Sequence, residues 1–109
     1  MLHEDIIHPV NFEYLVTLGW GYYWTGRYEE AIATFKRVVT HYPNLLLAYT
    51  GLAATYGALG REKEARTEGA EILRLSPNFS LEVARQRIPS KDPAVAERLL
   101  DNLRKAGLK

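Results

Sequence analysis

The chain has no cysteine in its 109 residues, so neither a disulfide framework nor a thiolate metal site is open to it, and its redox compartment cannot be read. It also lacks any apolar run near the roughly 20 residues that a bilayer-spanning helix needs. The opening MLHEDIIHPV is acidic and has neither the basic start nor the apolar stretch of a secretion signal. The expectation is therefore a cytoplasmic protein with no membrane partner. No sign of charge dominates either. Fourteen basic residues face thirteen acidic ones, for a net charge of +1, which argues against electrostatic capture of nucleic acid. Residues 1–54 carry −2 and residues 55–109 carry +3, but Arg61, Lys63, Arg66 and Arg74 alternate with Glu62, Glu64, Glu68 and Glu71. That alternation reads as a solvated helix face. The length suits one domain, spanning 1–109, with a modest core.

What the chain has in excess is aromatic side chains in one place. GWGYYWTGRY, residues 19–28, holds Trp20, Tyr22, Tyr23, Trp24 and Tyr28. Their role depends on a repeat. Shifted by 34 residues, the sequence matches itself: Leu18 on Leu52, Gly19 on Ala53, Tyr22 on Tyr56, Gly26 on Gly60, Ala31 on Ala65 and Pro43 on Pro77. The turns TGRYEEA and LGREKEA also coincide. Within each copy the apolar spacing is helical. Leu15, Leu18, Gly19 and Tyr22 form an i, i+3, i+4, i+7 stripe, and Ala31, Phe35 and Val38 carry it onto a second helix. Gly26 and Gly60 stand where a first helix stops, and Pro43 and Pro77 stand just past a second. Two helical hairpins are predicted, over about 12–41 and 45–75, with no support for strands.

These residues resemble the tetratricopeptide repeat, a 34-residue helical hairpin with the signature W-x-x-L-G-x-x-Y, then A-x-x-x-F, then P. The first copy reads LVTLGWGY, AIATF and Pro43, and the second YTGLAATY, ARTEG and Pro77. Leu15 and Tyr49 replace the signature tryptophan. Gly69 departs from it, standing where the first copy has Phe35. The resemblance covers residues 12–79 and implies an all-α superhelix that binds proteins, with repeat one over about 12–45 and repeat two over about 46–79.

Two hairpins leave an apolar end that needs a cap. A third helix is predicted from Ser80, cut short by Pro89. Asp92 and Pro93 then open a last helix that ends at Gly107 and presents Val95, Leu99, Leu100 and Leu103 on one face. A close approach by this tail would account for the small residue at Gly69. The segment NFSLEVARQRIPSKDPAVAERLLDNLRKAGL is similar to the close of tetratricopeptide regions that follow class III nucleotide cyclase domains in bacteria, and GRYEEAI with an upstream HP suits that setting. This resemblance implies a C-terminal piece of a larger bacterial signalling protein.

No catalytic constellation emerges, and no cofactor or metal site is expected. His3 and His8 flank Glu4 and Asp5 without helical-pair or zinc spacing. His41 fits the negative end of a helix, and the Glu29–Glu30 pair fits a first turn. Ser76, Ser80 and Ser90 have no histidine nearby in sequence, with Ser80 reading as a helix cap. Gly19, Gly21 and Gly26 lie within and at the end of a helix, not between a strand and a helix as a phosphate loop requires.

The aromatics divide between two helix faces. Tyr22 joins the core stripe, and Tyr28 begins the second helix at the hairpin turn. Trp20, Tyr23 and Trp24 fall in line with Glu13 and Val16, and the same face of copy two holds Leu47, Thr50, Ala54 and Gly57. In tetratricopeptide arrays this face lines the concave groove. The resemblance thus implies a partner-binding groove of Glu13, Val16, Trp20, Tyr23, Trp24, Leu47, Thr50 and Ala54. Three occupants stay open: a peptide partner, a second copy in a homo-oligomer, or a covering segment of the chain itself. The family's carboxylate-clamp positions hold Val16, Trp20 and Gly51, so the expected partner is apolar or aromatic rather than an acidic C-terminal tail.

Overall fold

Asn11 opens the first helix by accepting a hydrogen bond on its side chain from the Tyr14 amide at 3.0 Å, satisfying one of the free donors of a helix start. From there the protein, a computed structural model that describes residues 11–88 and 90–109, is helical and without strands among those residues. The helices are α1 (Phe12–Trp24), α2 (Tyr28–His41), α3 (Leu46–Ala58), α4 (Glu62–Leu75), α5 (Leu81–Arg87) and α6 (Pro93–Arg104). The all-α hairpin architecture expected from the 34-residue period is the one observed.

The repeat extends to the atoms of the hairpin turns. Gly26 and Gly60 take φ of 79° and 74°, a left-handed conformation that costs glycine little. Each turn closes with the same backbone bonds. Arg27 N–H reaches Tyr22 O at 2.8 Å and Arg61 N–H reaches Tyr56 O at 2.9 Å. The two arginines then lie over the rings of Tyr22 and Tyr56, at 4.8 and 5.0 Å from the centroids. Each also pairs with the glutamate three residues on, Arg27 with Glu30 and Arg61 with Glu64. Exposed pairs of this kind contribute under about 1 kcal/mol. Their value here is to show that both turns are one structure written twice.

α3 is the axis of the molecule. Ala48, Tyr49 and the whole run from Gly51 to Gly57 are buried, because α2, α4 and α6 all pack on this helix. Its sequence, LLAYTGLAATYGA, carries no charge, as suits a helix enclosed over most of its surface. Phe35 of α2 fills the space between α1 and α3. A Cβ on Gly19 would come within 2.7 Å of its ring, and one on Gly51 would collide with it as well. One phenyl group occupies the volume vacated by two side chains.

The predicted caps of the C-terminal part are present. Ser80 accepts from Val83 N–H at 3.1 Å, and Asp92 accepts from Ala94 N–H at 2.9 Å, with Pro93 in the first turn. The stop expected of Pro89 concerns a residue outside the described ones. Leu99, Leu100 and Leu103 of α6 are buried as expected, while Val95 is half-buried and Ala96 and Asn102 join the buried face.

Candidate partner-binding groove

The face predicted to be a groove is largely closed within the fold, by α2 under Trp20 and by the last helix over Tyr23. Of the eight residues expected to line it, Val16, Tyr23 and Ala54 are buried, Trp20 and Thr50 are half-buried, and only Glu13, Trp24 and Leu47 are open. The expectation that Trp20 and Tyr23 stand clear of the core is therefore corrected. So is the placing of Tyr22, which is half-buried, whereas Tyr23 is only 5 % exposed.

For Tyr23 the reason lies in α6. Its backbone at Asn102 sits so close to Gly57 that a Cβ there would strike the Asn102 carbonyl. The small residue of α3 admits a whole helix backbone. Asn102, itself buried, then donates from Nδ2 to the Tyr23 hydroxyl at 2.8 Å, and Lys105 Nζ reaches the Gly57 carbonyl at 3.3 Å. Burial raises the Tyr23 phenol above its ordinary value, with the Asn102 bond and Arg98 opposing that rise. The phenol is neutral over the physiological range. Beyond α6, the Ala106 carbonyl occupies the space that a side chain on Gly69 would need. The close approach foreseen at Gly69 is thus observed.

The aromatics form one continuous cluster. Trp20 meets Phe35 edge-on at 5.6 Å and Tyr23 at 5.4 Å, and Tyr23 meets Trp24 at 5.0 Å and Tyr28 at 5.9 Å. Trp20 and Trp24 lie 6.0 Å apart. Such pairs add about 0.5–1.5 kcal/mol each beyond area burial. Trp24, at 39 % exposed, presents this cluster to solvent, and Leu47, at 52 %, is open in the equivalent helix of repeat two. Among the described residues, the buried Trp20 indole N–H has no hydrogen-bond acceptor.

Sequence reasoning placed Gly57 on this face but missed Asn102 and the close approach of its backbone to Gly57. The available signals were the uncharged stretch 46–58, which calls for cover on most faces, and an asparagine next to the leucines of an amphipathic helix. The other candidates for chemistry resolve as local structure. Glu30 and Glu29 face Arg27 and Arg61, His41 Nδ1 lies 3.0 Å from the Arg37 carbonyl, and Ser90 accepts from the Asp92 amide at 3.1 Å. His3, Glu4, Asp5 and His8 lie outside the described residues. Among the described residues, no helix is long and apolar enough to cross a membrane.

Six helices, the first four in two hairpins repeated at a 34-residue period, make an all-α fold consistent with a tetratricopeptide-like helical repeat. A family model for the tetratricopeptide repeat matches residues 12–45, which covers the first hairpin and its following turn. No curated protein and no solved structure matches the chain. A repeat of this type supports a protein–protein interaction module.

Proposed function

We propose that the chain is a non-enzymatic docking module whose partner engages the concave face of α1 and α3, contacting Trp24, Trp20, Leu47 and Glu13. The observation that carries this reading is the aromatic cluster brought to the surface at Trp24, which also touches Trp20 and Tyr23. Tryptophans buried at the centre of an interface typically contribute about 2 kcal/mol or more. The partner is apolar or aromatic, since Val16, Trp20 and Gly51 offer no grip for a terminal carboxylate.

Peptides selected from a random display library against the full chain test the reading. They are expected to be rich in aromatic and aliphatic residues. Trp24→Ala should weaken them at least tenfold while the melting temperature stays within a few degrees of the parent. Selected peptides that depend on a free acidic C-terminus, or that ignore both tryptophans, would refute it.

The tail resemblance favours a second reading, in which the module is a regulatory or dimerising segment of a larger cytoplasmic signalling protein, a class III nucleotide cyclase. What supports it is the segment 78–108 together with the GRYEEAI turn. The full reading frame tests it: a cyclase domain encoded upstream is the expected finding, and a frame without one removes the reading.

A further inference from the structure

Resting on the docking reading above, we infer that α6 is a displaceable resident of the concave face. The partner is then an amphipathic helix built to the same pattern, binding by taking the place of α6. Three observations converge on this. First, the face admits a helix backbone and not side chains alone, because Gly57 of α3 omits the side chain that would obstruct the Asn102 carbonyl, as Gly69 of the neighbouring α4 does for the Ala106 carbonyl just beyond α6. Second, α6 presents Ala96, Leu99, Leu100 and Leu103, at i, i+3, i+4 and i+7, as its buried apolar face, which is the spacing of anchors in helix-in-groove recognition. Third, the contact contains one buried polar pair, Asn102 with Tyr23. A cap that only shields apolar surface needs no such pair. A buried asparagine in an apolar helix contact sets register and partner choice at some cost in stability.

The attachments of α6 suit a reversible occupant. Its side-chain tie to α5 is the exposed pair Arg85–Glu97, which is worth little in water. Its other polar ties are Asn102–Tyr23, the Lys105–Gly57 contact and the bond from Leu81 N–H to the Lys109 carbonyl at 2.9 Å. The main hold is the buried Leu99, Leu100 and Leu103, which a partner helix of the same pattern replaces like for like.

The test uses the full chain and a fluorescein-labelled synthetic peptide of residues 92–109, followed by anisotropy. The unmodified chain should bind this peptide weakly, because its own α6 competes. In the Asn102→Ala chain the resident helix loses its bond to Tyr23 while the peptide still brings one. Peptide affinity should then rise about tenfold, the equivalent of one hydrogen bond. The same peptide with Asn102→Ala should show no such rise. Equal affinity of the two chains for the peptide overturns the inference. So does an Asn102→Ala chain that loses its helical circular dichroism and is not restored by added peptide, for α6 is then an inseparable part of the core. Energy transfer between two differently labelled samples of the unmodified chain, reporting exchange of α6 between copies, would make the occupant a second copy and also overturn it. Display-selected peptides that need Trp24 yet leave the labelled α6 peptide undisturbed would preserve the docking reading while defeating this one.

Discussion

Phe35 and Gly69 stand 34 residues apart, at one position of the repeat, and the chain fills that position in opposite ways. In repeat one a phenyl ring reaches into the gap left by Gly19 and Gly51. In repeat two no side chain is present, and the backbone of the C-terminal segment comes in to fill the space with the Ala106 carbonyl. The tyrosines differ in the same manner. Tyr56 is almost fully buried, 2 % exposed, while Tyr22, its counterpart, is half-buried. α3 has α2 on one side and α6 on the other, whereas α1 packs on α2 and, less extensively, on α3. A repeat position specifies which way a side chain points. Its burial is set by whatever helix stands on that side.

The comparison is tested most severely at the filled position. Phe35→Ala should cost about 4 kcal/mol, since a cavity would open between three helices, and in a domain of this size most of the cooperative urea transition should disappear. Gly69→Val should cost about 2–3 kcal/mol through overpacking against a backbone that cannot yield, and should speed amide exchange over residues 96–108 ahead of the rest. If Gly69→Val were neutral, the tail would not depend on that vacancy.

A smaller effect separates the two neighbouring tyrosines. Tyr23→Ala removes a buried ring and orphans Asn102, for an expected loss of about 3 kcal/mol. Tyr22→Ala, at a half-buried site, should lose about 1 kcal/mol. Urea midpoints of the two variants measure the difference directly, and the reverse order would restore Tyr22 as the core residue.

The smallest effect concerns Glu68 on α4. Burial, followed by the neighbouring Glu71, raises its carboxyl above the ordinary range, with Lys36 opposing. The native state therefore holds this proton to higher pH than the unfolded chain does, and stability from this group falls as pH rises from about 4.3 upward. Glu68→Gln should match the parent below that pH and exceed it above, by less than about 1 kcal/mol because the side chain is partly solvated. Melting temperatures at pH 3.5 and 7 provide the check, and a variant less stable at pH 7 would reverse the assignment.

Local chemistry was enough to place the two hairpins, the glycine turns, the Ser80 and Asp92 caps and the apolar leucines of α6. Each of these depends on helical spacing or on a φ angle that few residues accept, and both are written within a few positions of chain. The small residue at Gly69 could also be traced to a close approach by the tail, because the departure from the first copy stands out against the repeat. The path of α6 could not be read this way. Whether it covers Tyr23 or leaves it open depends on contacts between residues 79 positions apart, and helical periodicity treats both outcomes alike. Tyr23 and Tyr22 are adjacent aromatics of nearly equal propensity. The arrival of α6, its Asn102 backbone against Gly57 and its carboxamide on the Tyr23 hydroxyl, helps to make one of them core while the other stays half-buried.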